Sequence, residues 1–226
     1  MLYDPYYVIL VLPAILLAMI AQSAVRSAYN KYAQVHSRRA ITGAEAARRI
    51  LDANGVYDVR IEPIGGHLTD HYDPRENVIR LSEGVYGSTS LSAVGIAAHE
   101  AGHAVQYAEG YGPVRLRSAI IPITQFGSSL TVPLILIGIL LSIPILIDIG
   151  LAFFALAIVF QLITLPVEFN ASQRAIRALE SSVLLEYEEV DMAKKVLRAA
   201  AMTYLAALAV SLAQFTRFLM LSRRRR

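Results

Sequence analysis

Two of the chain's five histidines stand four apart in Ala97-Ala98-His99-Glu100-Ala101-Gly102-His103-Ala104. On a helix, positions i and i+4 share a face, so both imidazoles can reach one metal ion. Glu100 is one step round from His99, which puts its carboxylate beside the open coordination position. There it can take a proton from a water acidified by the metal and pass it to a leaving amine. The alanines around the motif are strong helix formers. Gly102 costs about 1 kcal/mol relative to Ala, which is easier to carry if another element packs closely there. The chain has no cysteine, so any zinc must be held by His, Asp and Glu.

Two histidines leave a tetrahedral catalytic zinc one protein ligand short. The sequence after His103 is Ala-Val-Gln-Tyr-Ala-Glu-Gly-Tyr-Gly, with no histidine at the spacing of the H-E-x-x-H-x-x-G-x-x-H class. The third ligand must come from elsewhere, and a carboxylate is expected. Glu109 lies six positions beyond His103, which turns it well away from the histidine face. Glu168, in Leu165-Pro166-Val167-Glu168-Phe169-Asn170-Ala171-Ser172, is the better candidate. A carboxylate at the end of an apolar segment needs a partner, and a metal is the most economical one. An ordinary interfacial acid at a helix start is the plainer alternative.

The elements that must position these residues are set by a lopsided composition. Apolar residues make up 55% and charged residues 17%, against about 25% charged in an average soluble domain. The apolar residues gather in blocks at 7–25, 126–147, 150–166 and 199–221. The first three are free of Lys, Arg and Glu and are long enough, or nearly so, to cross a bilayer. The second and third are joined at Asp148 and read as a tight helical hairpin. The fourth contains Gln214 and Arg217 and ends in Arg223, Arg224, Arg225 and Arg226, so it either crosses or lies at the interface with its arginines snorkelling. This pattern excludes an ordinary soluble globule, a disordered chain and a disulfide scaffold. A net charge of +3 is too small to argue for nucleic-acid binding. Sixteen of the 21 basic residues fall in 26–125 and 167–198, which places both segments in the cytoplasm and the N-terminus outside.

Within 26–125, Thr42 and Glu45 fit a capping box. Ala44, Ala47, Ile50 and Leu51 give the spacing of a packed helix face, and Asn54-Gly55 ends that helix. Residues 57–81 read as short β-type runs broken by turns, the last at 77–81. A helix then begins near 88–92 and carries the H-E-x-x-H motif to Gly110. The acidic run at 186–191 before Lys194-Lys195 reads as a solvated helix start, and the terminal arginines as a contact with anionic lipid headgroups.

The motif, preceded by Leu-Thr-Asp-His-Tyr-Asp-Pro at 68–74 and followed by the apolar hairpin and Glu168-Phe169-Asn170-Ala171-Ser172, resembles the YugP-type neutral zinc metallopeptidases. These are bacterial membrane proteins distantly similar to the HtpX-type and CAAX-prenyl-type membrane proteases. The resemblance covers nearly the whole chain, including Arg117-Ser118-Ala119 and Ala201-Met202-Thr203-Tyr204. It implies a gluzincin arrangement with one Zn2+ per chain, His99, His103 and Glu168 as ligands, and Glu100 as general base. In the HtpX-type relatives, the ligand Glu is followed by Ala at plus three and Asp at plus four. Ala171 matches, but Ser172 stands in place of the Asp, so Ser172 or Asn170 would have to orient a ligand histidine. The resemblance also implies an edge strand ahead of the zinc helix that binds peptide by β-addition. That role falls on Val78, Ile79, Arg80 and Leu81, with a purely structural hairpin as the alternative. Tyr72, His71, Arg174 and Tyr204 are the candidates for stabilising the oxyanion. The cluster of His67, Asp70, His71 and Tyr72 reads by default as a hydrogen-bond network around a turn.

The expected fold is a mainly α membrane protein. Three to four transmembrane helices carry a zincin-like α+β catalytic domain inserted between the first and second. The expected organisation is a transmembrane helix at 1–25, the catalytic domain at 26–125, the hairpin at 126–166, a cytoplasmic helical segment with the third ligand at 167–198, and a last transmembrane or interfacial helix at 199–226. The expected function is a zinc endopeptidase of the bacterial inner membrane acting on membrane or membrane-proximal polypeptides, with the lipid bilayer and no nucleic acid as partners. A membrane scaffold with a structural zinc site and a zinc hydrolase of non-peptide substrates are the competing readings. Glu100 argues against the first, since a structural site needs no adjacent free carboxylate.

Overall fold

The computed structural model describes residues 4–181 and 184–223. After a π-helical turn at Tyr7–Val11, the described elements run α1 (Leu12–Tyr32), α2 (Gly43–Ala53), β1 (Arg60–Ile64), β2 (His71–Asp73), β3 (Val78–Ser82), α3 (Glu83–Tyr86), α4 (Leu91–Ala108), α5 (Gly112–Leu140), α6 (Pro144–Ser181) and α7 (Tyr187–Arg223). The protein is mostly helical with one small sheet. Four helical stretches are long and apolar enough to cross a membrane: Tyr7–Tyr32, Gly112–Leu140, Pro144–Ser181 and Tyr187–Ser222. Arg224, Arg225 and Arg226, expected to meet lipid headgroups, lie outside the described residues.

The chain divides into two compact units. One contains residues up to Ala21, Arg115–Pro166 and the chain from Thr203 onward. Its helices expose Leu16, Leu17, Met19, Ile20, Leu136 and Leu140, an apolar surface suited to hydrocarbon rather than water. Ile135, Ile147 and Leu151 are buried together, with Phe215, Phe218 and Leu219 packed against them. The polar side chains here find one another. Gln161 Nε2 donates to Ser211 Oγ at 2.9 Å, and Arg217 pairs with Asp4 at 2.6 Å while its guanidinium lies over the Tyr7 ring.

Two boundaries differ from the sequence reading. The hairpin turns at 141–143, not at Asp148, which lies inside α6. Ser142 adopts a left-handed conformation, φ 56°, and Pro144 opens α6, a first helical position where its missing N–H costs nothing. Nor does the chain restart as a new helix after Pro166. α6 runs through that proline to Ser181, as α5 runs through Pro122 and Pro133. Apolar helices tolerate such residues because neighbouring groups take up the freed carbonyl.

The other unit contains Gln22–Val114 and Val167–Met202. α2 starts on the expected capping box, in which Thr42 Oγ1 accepts from Glu45 N and Glu45 Oε2 accepts from Thr42 N. It ends at Gly55 with φ 72°. Ile50, Leu51, Ile79, Leu81, Leu91, Val94, Leu179 and Leu197 belong to one buried core. The sheet order is β1-β3-β2, with β1 parallel and β2 antiparallel to β3. The strand holding Val78, Ile79, Arg80 and Leu81 is therefore the middle of the sheet and not a free edge. Its partner on that side is β2, antiparallel as in a hairpin, only three residues long and too short to show an alternating pattern. The outer strand on that side is His71, Tyr72 and Asp73.

Candidate metal centre

The motif helix α4 is capped by Ser90, whose Oγ accepts from Ala93 N at 3.3 Å. Ala97, Ala98, Ala101 and Ala104 are buried and turn one face of α4 into the core. Gly102 is explained by α6. A Cβ there would lie 2.7 Å from the Ala171 carbonyl oxygen, so only glycine lets the two helices approach this closely.

That approach brings three candidate ligand groups together. His99 Nε2 and His103 Nε2 lie 3.4 and 3.5 Å from Glu168 Oε2. The three offer one ligand atom each within 4.8 Å of one another and could hold a metal ion. A tetrahedral zinc with bonds of about 2.0–2.1 Å keeps its ligand atoms about 3.3–3.4 Å apart. The observed spacing therefore fits that ion, and His₂Glu is a donor set zinc takes at catalytic sites. The Glu168 side chain is only 4% exposed, so its charge needs the compensation a cation would give. Glu109 is not in this ligand group. It pairs with Arg174 at 2.7 Å.

Each of the two histidines is held from behind. Ser172 Oγ lies 3.1 Å from His99 Nδ1, at the position where the HtpX-type pattern has an aspartate. Gln106 Oε1 lies 3.0 Å from His103 Nδ1. Gln106 went unremarked in the sequence, although it stands three positions after His103 and so shares its helix face. Burial works against a charge on His103, but the Glu168 carboxylate, with Glu100 and Gln106, holds its pKa above the ordinary histidine value. A proton therefore competes with a metal for this ring.

Glu100 is fixed by the sheet. Its Oε2 accepts from the backbone N–H of Tyr72 at 2.9 Å, which anchors the carboxylate against the edge strand β2.

A family model described as "Putative neutral zinc metallopeptidase" matches residues 7–223. The chain belongs to this metallopeptidase family. It is also 48% identical over 215 residues to "Putative membrane protease YugP" of Bacillus subtilis (strain 168), covering 95% of this chain and 96% of that protein. No solved structure matches it.

The remaining candidates in this family member have the following contacts. The Tyr72 hydroxyl donates to Asn77 Oδ1 at 2.8 Å, and its ring packs edge-on against Tyr107. Burial, with Tyr107, Asp58 and Asp73 nearby, pushes the pKa of that hydroxyl up to about 12, so it stays protonated and donating. His71 Nδ1 lies 2.8 Å from the Thr69 carbonyl. Arg174 is spent on Asn170 and Glu109, and Tyr204 belongs to the unit of apolar helices. His67 stacks edge-on against Tyr29, and Asp70 accepts from Ser82 N and Oγ. The cluster of four is thus spread over a turn network with no shared ligand position.

Proposed function

We propose that the chain is a membrane-embedded zinc endopeptidase that cleaves membrane or membrane-proximal polypeptides on the cytoplasmic face of the bacterial inner membrane. The observation that carries this reading is the placing of Glu168. This group, one of three that could hold a metal with His99 and His103, lies on α6, one of the helices apolar enough to cross a bilayer. At 38 residues α6 is about 57 Å long, nearly twice the roughly 30 Å hydrocarbon thickness. One helix can therefore both cross the membrane and supply a ligand beyond it. The family match and the membrane-protease relative point the same way.

His99, His103 and Glu168 would hold one Zn2+, which when bound supplies Lewis acidity for a peptide carbonyl and for water. Glu100 accepts a bond from Tyr72 N, and its position next to His99 suits a general base. It takes the proton of the attacking water and delivers it to the departing amine. A substrate backbone would lie alongside β2, the edge strand that touches Glu100, rather than along the enclosed β3.

The test is zinc analysis of the purified full chain together with cleavage of unfolded membrane substrates by wild type and Glu100→Gln. The reading expects zinc in both proteins and cleavage by wild type alone. Equal cleavage by the two would contradict it.

A further inference from the structure

Gln106 is fully buried, and its whole amide is engaged. Nε2 donates to the Val167 carbonyl and to Asn170 Oδ1, both at 2.9 Å, while Oε1 faces His103 Nδ1. A side-chain amide can be turned end for end at almost no change in shape, so something that cannot turn must set its direction. Arg174 does so. A guanidinium only donates, and its Nε lies 2.7 Å from Asn170 Oδ1. Asn170 must present oxygen there, and the same oxygen then accepts from Gln106. The Val167 carbonyl, which only accepts, imposes the same direction. Gln106 is left with its oxygen towards His103, which must offer Nδ1–H. The lone pair of His103 then falls on Nε2, the nitrogen facing Glu168.

Glu109, which accepts only, holds the far side of Arg174. This outer end opens onto a cavity of about 390 Å³ lined by Glu109, Arg174 and Asn170. Ser172 differs, because a hydroxyl can donate or accept and does not dictate the tautomer of His99.

We propose that Glu109, Arg174, Asn170 and Gln106, together with the Val167 carbonyl, form a positioning relay that determines which nitrogen of His103 is offered to the metal. The relay rests on the zinc reading above and adds to it a control on ligand geometry that begins at a partly exposed ion pair. Partners behind a ligand histidine typically change metal affinity by about 10–100-fold.

The test is zinc affinity of the full chain in detergent, by competition with a chelating dye. The variants are Asn170→Asp, Asn170→Leu, Gln106→Leu and the Gln106→Leu/Asn170→Leu double variant. Thermal unfolding of the metal-free proteins serves as the control for folding. An aspartate in place of Asn170 keeps the accepting oxygen, so Asn170→Asp should stay within a few-fold of wild type. Gln106→Leu should bind about 10–100-fold more weakly, and Asn170→Leu, which leaves the Val167 carbonyl to direct the amide, should bind more weakly than wild type but by less than Gln106→Leu. The double variant should be no weaker than Gln106→Leu alone, because both act through one path. Additive losses, equal losses in Asn170→Asp and Asn170→Leu, or unchanged affinity in both leucine variants would overturn the relay. If Gln106→Leu does not fold, the two Asn170 variants decide alone. A wild type that binds no zinc would overturn the metal reading itself, and zinc-loaded wild type with insensitive variants would overturn the relay only.

Discussion

In the proposed metal site, Glu168, His99 and His103 act together, each supplying one donor that the others cannot replace. Each should be individually indispensable to metal binding, whereas Glu100 should not. Ser172 contributes through His99, and Ser172→Ala should weaken zinc by roughly 10-fold while leaving the fold intact, read by chelator competition. The proton on His103 gives a further prediction. A histidine ligates only when neutral, and its partners raise this group above 6.5. Zinc affinity should therefore be constant at high pH and fall as pH drops through that raised value, starting above 6.5. In the falling limb the loss should approach about 10-fold per pH unit for one competing proton. Affinity that is flat between about pH 8 and 6 would contradict this assignment of the charge.

At the scale of elements, the proposed site depends on how closely α4 and α6 approach; Gly102 on α4 reports on it, and Gly95, which faces Ala193 on α7, serves as the control. At Gly102 an added Cβ meets backbone at 2.7 Å, so Gly102→Ala should cost about 1–3 kcal/mol and lower zinc occupancy by parting the ligands. At Gly95 the nearest atom is Ala193 Cβ at 3.5 Å, an ordinary contact. Gly95→Ala should be neutral, or should stabilise by up to about 1 kcal/mol through helix propensity. Thermal unfolding of both variants is the comparison. Equal effects would mean that the close approach is not what Gly102 provides. Much of this architecture is legible in the residues themselves. The capping box at Thr42 and Glu45, the stop at Gly55 and the motif helix α4 follow from local chemistry that short stretches carry entirely. The pairing of strands does not, because β2 has three residues and its order against β1 and β3 is settled only by long-range packing. Pro166 misleads for a related reason. Its local preference is to end a helix, and an apolar setting overrides it. Gln106 could have been found from its spacing after His103, but Asn170 and Arg174 become meaningful only once α6 lies against α4.

For the whole molecule, the proposal places the unit containing α4 on the cytoplasmic side and the turn between α5 and α6 outside. The cysteine-free sequence makes this directly measurable. A cysteine introduced at Tyr57, 74% exposed, should react with a membrane-impermeant thiol reagent only after permeabilisation, and one at Leu141 should react in intact cells. The pairing of Asp4 with Arg217 sets the start of the first apolar helix beside the end of α7. The central claim is that a membrane-crossing helix completes a metal site begun on α4. The most direct test is zinc stoichiometry, by elemental mass spectrometry, of wild type, Glu100→Gln and Glu168→Ala purified from the membrane fraction. The account predicts one zinc per chain in wild type and in Glu100→Gln, and none in Glu168→Ala. A full zinc complement in Glu168→Ala would contradict it.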